Sequence, residues 1–185
     1  MEEVTINIIS LPKRTDRRTS IAKQMDLEKV TNYRIWDGVI HSQPKTGISR
    51  AHKQIVQYAK DSNLREVVVA EDDLMWTGTG AWKYFMDHKP YDFDIYVGSY
   101  YPRAYHDADF RVFGLRGMTL YVCNSRFFDK FLSLPEQMHI DGAIAMSGAK
   151  VIVCDQFVCY QSDGYSDQRK RYAENNIIDK KMFGE

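Results

Sequence analysis

The chain has 185 residues, 44% of them hydrophobic, which suits one domain with a sizeable core and argues against wholesale disorder. Lys+Arg and Asp+Glu balance at 25 each, and this zero net charge weighs against a protein built to coat nucleic acid. Three cysteines without paired metal spacing, an acidic Met1-Glu2-Glu3 in place of a signal sequence, and no membrane-length apolar run predict a soluble cytoplasmic protein with reduced thiols.

Val4 to Leu11 reads as a buried first strand closed by Pro12. Thr15 or Asp16 is expected to cap a helix running to about Glu28, with Ile21, Met25 and Leu27 on its apolar side. Thr31 to Trp36 reads as a second strand and Asp37 to Lys45 as a loop. A helix is expected from about Ser49 to Ser62, with Ala51, Ile55, Tyr58 and Ala59 near helical spacing. The strand Val67 to Ala70 then runs straight into Glu71-Asp72-Asp73. This β-α-β-α-β opening predicts an α/β fold with a largely parallel sheet and helices on both faces.

Gly78-Thr79-Gly80 precedes an expected helix, Ala81 to His88, and Asp94 to Gly98 reads as another strand. Ser99 to Asp109, rich in Tyr and Asp and without a period, is expected to form a long loop. Arg111 to Leu115 and Met118 to Cys123 are expected to pair around Gly117. Asn124 or Ser125 opens a helix to Leu134, His139 to Ser147 forms a short one, and Lys150 to Asp155 and Phe157 to Tyr160 are late strands. The charged tail from about Ser166 is expected to end in a surface helix, within a single domain of residues 1–185. Its Arg169, Lys170, Arg171, Lys180 and Lys181 allow a weak peripheral membrane contact, which the interleaved Asp167, Glu174 and Asp179 oppose.

Four segments carry candidate chemistry. Three adjacent carboxylates at the end of a buried strand repel one another and need water or a cation, and strand ends are where open α/β sheets bind ligands. Oxygen ligands of this kind suit Mg²⁺ or Mn²⁺ held together with substrate phosphates. Leu11-Pro12-Lys13-Arg14-Thr15-Asp16-Arg17-Arg18 places four cations at a helix start, a natural polyphosphate site and equally a solvated first turn. Gly47-Ile48-Ser49-Arg50-Ala51-His52 is expected at a loop-to-helix junction facing the acids, although His52 also fits a helix residue bonded to backbone. Asp141, opening a short helix, is either an N-terminal helix acid or a base, and Gln161-Ser162-Asp163-Gly164 is a polar turn after a strand.

The order of these segments resembles glycosyltransferase family 25, which includes bacterial lipopolysaccharide and collagen galactosyltransferases. The resemblance rests on Leu11-x-Lys13-x-x-Asp16-Arg17, Gly47-x4-His52 and Glu71-Asp72-Asp73, and then on Gly117-x3-Tyr121, Asp141 and Gln161-Ser162-Asp163. It spans about Ile6 to Asp163. Ser10 stands where Asn is usual and Lys13 where Arg is usual, and Ile48 and Ala51 replace Cys and Ser.

The resemblance implies a GT-A-type, Rossmann-like fold and an inverting, metal-dependent hexosyltransferase. It would use a nucleotide-sugar, UDP-linked, as donor and a glycan or lipopolysaccharide-type glycolipid as acceptor, at the inner membrane face or in the cytoplasm. The roles implied are Asp73 as metal ligand with Asp72 assisting, and Glu71 and Asp72 at the nucleotide. Arg17, Lys13, Leu11 and His52 complete the donor site, and Asp141 is the base with Asp163 as second choice. A catalytically inactive nucleotide- or glycan-binding module of the same fold is the alternative, favoured by the Ile48 and Ala51 departures. A two-metal phosphoesterase or nuclease would want spaced His ligands, which His41, His52, His88, His106 and His139 do not form.

Overall fold

The computed structural model describes residues 4–166, 171–173 and 183–184. In chain order the elements are β1 (Ile6–Ser10), α1 (Thr15–Leu27), β2 (Tyr33–Asp37), α2 (Pro44–Asp61), β3 (Glu66–Glu71), β4 (Leu74–Trp76), α3 (Ala81–Asp87) and β5 (Ile95–Val97). There follow β6 (Tyr105–His106), β7 (Val112–Phe113), β8 (Leu120–Asn124), α4 (Phe128–Ser133), α5 (Ile140–Met146), β9 (Val151–Val153), β10 (Cys159–Gln161), β11 (Gly164–Ser166) and β12 (Arg171–Ala173).

The central sheet has six strands in the order β2-β1-β3-β8-β5-β9. Its strands are parallel except β8, which runs antiparallel to both β3 and β5. The mainly parallel α/β expectation therefore holds. Its physical basis is visible in β3, whose side chains alternate between two apolar layers. Val67 and Val69 join the layer of Ile55, Val56 and Ala59 from α2, Phe131 from α4 and Ile144 from α5. Val68 and Ala70 join that of Ile21 and Met25 from α1 and Phe85 from α3. A strand covered on both faces has no polar side to show, so Val67-Val68-Val69-Ala70 reads as an unbroken apolar run.

Three local expectations are corrected. First, α2 begins at Pro44 rather than Ser49, with Pro in the first turn where its missing N–H is no loss. Gly47 thus lies inside the helix, not in a loop before it. A Cβ there would fall 2.3 Å from the Val39 carbonyl oxygen, so glycine lets the preceding loop cross the first turn. Second, α1 takes Arg14 as its N-cap, with no side-chain capping bond, so neither Thr15 nor Asp16 caps it.

Third, the two segments around Gly117 do not pair with each other. Val112–Phe113 pairs with Tyr105–His106 inside the expected loop, while Leu120–Asn124 inserts between β3 and β5. Gly117, at φ +75°, makes the turn that sends the chain into the sheet. In the tail, Arg171–Ala173 pairs with Gly164–Ser166. The surface helix expected there, and most of the tail's cations, lie outside the described residues.

Candidate functional site

The acidic triplet stands at the carboxyl end of β3, and the register brings other segments to that end. Ile9 of β1 lies opposite Glu71, so β1 ends beside the acids and α1 begins beside them. Arg17, in the first turn of α1, donates from Nη1 to Asp72 Oδ1 at 2.9 Å and to Asp73 Oδ2 at 3.0 Å. The late chain arrives through β10, which pairs with β4 immediately after the triplet and sets Gln161 opposite Leu74. Gln161 Nε2 then donates to Glu71 Oε2 at 2.7 Å, and the Ser162 N–H donates to the Asp73 carbonyl at 2.8 Å. Segments 11–18, 71–73 and 161–162 therefore meet, although nearly the whole chain separates the first from the last.

His52 reaches the same place from α2. It is 1% exposed, with Nδ1 2.9 Å from the Tyr121 hydroxyl and Nε2 3.7 Å from Glu71 Oε1. Burial raises the Tyr121 hydroxyl well above its ordinary value, so it stays a neutral phenol. The sequence reading set His52 as a helix residue bonded to backbone against a residue facing the crevice. The observed partners are side chains, Tyr121 and the first acid.

The electrostatics of the triplet are uneven. Burial pushes the Asp73 carboxyl up to about 8; repulsion from Glu71 adds to this, and Arg17 opposes it. Asp72 is raised too, again by burial against the pull of Arg17. Burial works against the Arg17 guanidinium, but the charges of Asp73 and Asp72 outweigh it and raise Arg17 overall. Asp73 Oδ1 is buried and has no hydrogen-bond partner. An acceptor in that state costs on the order of 1–3 kcal/mol or more, which an incoming cation or donor would recover.

Asp141 lies at the start of α5 and is half-buried. Its Oδ2 accepts the Gly117 N–H at 2.8 Å and its Oδ1 the Gly142 N–H at 2.7 Å. Gly117 is required on two counts. Its φ is positive, and a Cβ would fall 2.3 Å from Cδ2 of the Tyr101 ring. Tyr101 links this corner to the acids: its hydroxyl is raised by burial first, then by the charges of Asp73 and Glu71. That hydroxyl is also buried and without a hydrogen-bond partner.

The remaining expected site residues are more peripheral. Lys13 is exposed in the turn between β1 and α1. Leu11 is half-buried, its carbonyl accepting the Arg14 N–H at 2.9 Å. Asp163 is exposed in the turn before β11. Tyr101 was not singled out by the sequence. Tyr101 sits in an aperiodic stretch, and only its packing on Gly117 reveals it.

Among the described residues no group of three or more His, Cys, Asp or Glu side chains is arranged to hold a metal. Asp72 and Asp73 nevertheless converge on a single cation, Nη1 of Arg17, and Asp73 keeps an unpartnered buried oxygen. Two hard oxygen donors completed by substrate phosphates form the usual pattern for Mg²⁺ and its like, so the residues fit such an ion.

No protein-family model matches the chain, and no curated protein does. Solved structures do. The chain is similar to A197 from STIV, with a TM-score of 0.56 at 12% identity over 95% of each chain. It is similar to a glycosyltransferase involved in glycosylation of the major capsid of PBCV-1, with a TM-score of 0.53 at 9% identity over 81% of this chain and 80% of that one. It is also similar to a mutant of Drosophila β-1,4-galactosyltransferase 7 in complex with manganese, UDP-Gal and xylobiose. There the TM-score is 0.56 at 12% identity, over 96% of this chain and 77% of that one. The fold is that of GT-A-type glycosyltransferases. At these identities the likeness concerns the fold. Among the described residues no helix is long and apolar enough to cross a membrane.

Proposed function

We propose that this chain is a family 25-like glycosyltransferase. It would move a hexose, galactose or glucose, from a UDP-sugar to a hydroxyl of a glycan or lipopolysaccharide-type acceptor, with inversion at the anomeric carbon. One observation carries the reading: Arg17, Asp72 and Asp73 meet at the carboxyl end of β3, in a GT-A fold where strand ends face the ligand crevice. The likeness to a galactosyltransferase solved with manganese and UDP-Gal supports the same reading.

Asp73 and Asp72 would hold Mn²⁺ or Mg²⁺, which when bound supplies Lewis-acid neutralisation of the charge on the departing diphosphate. Arg17 adds charge for the diphosphate, and Lys13, exposed at the neighbouring turn, is a second cation for the nucleotide. Glu71, steadied by Gln161 and His52, offers a carboxylate oxygen to donor hydroxyls, and Leu11, just after β1, would complete the donor site. Transfer forms a bond between the acceptor oxygen and the anomeric carbon and breaks the bond from that carbon to the diphosphate oxygen. The acceptor proton needs a base on the face opposite the leaving group.

Asp141 is assigned that role. The Gly117 and Gly142 N–H groups fix its orientation, and each oxygen keeps a lone pair for the incoming proton. Asp163 is the second choice. The proposed setting is the cytoplasm or the inner membrane face; the thiols of Cys123, Cys154 and Cys159 are buried.

Release of UDP from UDP-hexoses with Mn²⁺, with and without mixed glycan acceptors, tests the function. Asp141→Asn is expected to retain UDP and Mn²⁺ binding and to lose transfer by roughly 10²–10⁴-fold. Transfer by Asp141→Asn at the wild-type rate would overturn the base assignment. Absence of UDP release from every UDP-hexose by the wild-type protein would overturn the transferase reading.

A further inference from the structure

We propose that Arg17 is an internal counter-cation whose displacement couples metal binding to nucleotide binding. This rests on the nucleotide-sugar reading above. A single nitrogen, Nη1, serves Asp72 Oδ1 at 2.9 Å and Asp73 Oδ2 at 3.0 Å, the same two carboxylates that would grip a divalent ion. Their side chains are only 9% and 10% exposed, and that of Arg17 is 20% exposed, so solvent does little of the neutralising. Two adjacent acids, Asp72 and Asp73, face this guanidinium. Asp73 Oδ1 remains buried with no partner, so the arginine satisfies the cluster incompletely.

A divalent ion and the guanidinium compete for the same oxygens, because a cation on Asp72 and Asp73 stands against Nη1. A metal entering alone must break two charge-assisted hydrogen bonds and separate the half-buried Arg17 from Asp72 and Asp73. A metal entering with a nucleoside diphosphate meets no such loss, since the freed guanidinium pairs with phosphate, for which its planar fork is suited. Arg17 thereby keeps the acids from binding stray divalent ions and makes each ligand strengthen the other. Coupling of this kind is reciprocal. A lysine would carry the charge but not the planar fork suited to a phosphate.

The test is binding, not turnover. Mn²⁺ is titrated by its paramagnetic resonance signal into wild type and Arg17→Gln, each with and without UDP. In wild type, Mn²⁺ is expected to bind at least about 10-fold more tightly with UDP than alone, a coupling of about 1.4 kcal/mol. In Arg17→Gln, Mn²⁺ alone is expected to bind more tightly than in wild type, UDP more weakly, and the mutual enhancement to disappear.

Unchanged or weaker Mn²⁺ binding by Arg17→Gln, with the enhancement intact, would overturn the counter-cation role and leave the nucleotide reading standing. Failure of the wild-type protein to bind UDP with Mn²⁺ would overturn both. Should the variant not fold, the wild-type Arg17 Nε–H resonance serves instead under Mg²⁺ and UDP. It should shift little with Mg²⁺ alone and move to a phosphate-bound position with both, and a resonance that never moves overturns the proposal.

Discussion

Glu71 and Asp73 stand two residues apart with the same functional group, yet the fold treats them in opposite ways. Glu71 ends the strand, is 26% exposed in its side chain, and is met by Gln161 and His52. Gln161 Nε2 holds one oxygen at 2.7 Å, and the Tyr121–His52 pair backs the other. Asp73 sits past the strand, is 10% exposed, and is met by one shared cation, with its second oxygen left bare. The difference comes from which elements cross the strand end. Helix α1 brings Arg17 to one side, while α2, β8 and β10 bring His52, Tyr121 and Gln161 to the other. In the reading proposed above, chemically identical neighbours would meet different partners: a hydroxyl-bearing ligand at Glu71, a cation at Asp73.

The strongest way to break this contrast is to neutralise each acid in turn. Asp73→Asn removes the carboxylate that would hold the divalent ion opposite the diphosphate and is expected to lower turnover with a UDP-hexose by roughly 10²–10³-fold, with Mn²⁺ affinity lost in parallel. Glu71→Gln keeps a hydrogen-bonding group of similar shape and is expected to act mainly on donor KM, leaving Mn²⁺ affinity near wild type. Steady-state kinetics with metal titration separates them. Equal losses in turnover and metal affinity for both variants would show that the two acids act as one site.

A second effect follows from the Asp73 side alone. Asp73 is raised to about 8 and Asp72 is raised as well, so the folded protein keeps protons there that the unfolded chain gives up near 3.8. The stability tied to these protons is complete below the unfolded value and is lost as pH rises through the folded one. Without divalent ions, stability should therefore fall between about pH 5 and pH 8. The slope should approach at most about 1.4 kcal/mol per pH unit for each proton concerned. Urea midpoints across that range measure it, and Asp73→Asn should flatten the curve. A wild-type midpoint that rises over the range would reverse the environment assigned to Asp73.

Much of the fold was legible because burial on two faces writes a continuous apolar run. Val67 to Ala70 shows this most clearly, and the alternation of strands and helices before it gave the parallel half of the sheet. The antiparallel β8 was not legible as such. Leu120 to Asn124 is equally apolar whichever strand it pairs with, and only the β3 and β5 edges decide. Pro44 misled because a helix-starting proline and a loop proline look alike in sequence. At the site, Glu71, Asp72, Asp73 and Arg17 could be read from charge and position. Tyr101 could not, because its reason is the bare face of Gly117, a contact across sixteen residues.

The smallest expected effect sharpens the Glu71 side. Tyr121→Phe deletes one hydroxyl and leaves the ring in the layer it shares with Phe131 and Ile144. What remains is His52 Nδ1, 1% exposed and without the oxygen that stood 2.9 Å away. A buried nitrogen so stranded costs about 1–3 kcal/mol, read as a lowered urea midpoint. The imidazole also loses the anchor that sets its tilt toward Glu71, so donor KM should rise a few-fold. Mn²⁺ affinity should not change, because the Arg17–Asp72–Asp73 group shares no hydrogen bond with Tyr121. If metal affinity falls along with stability, the Glu71 and Asp73 sides of this strand end are mechanically joined, and the separation drawn between them is lost.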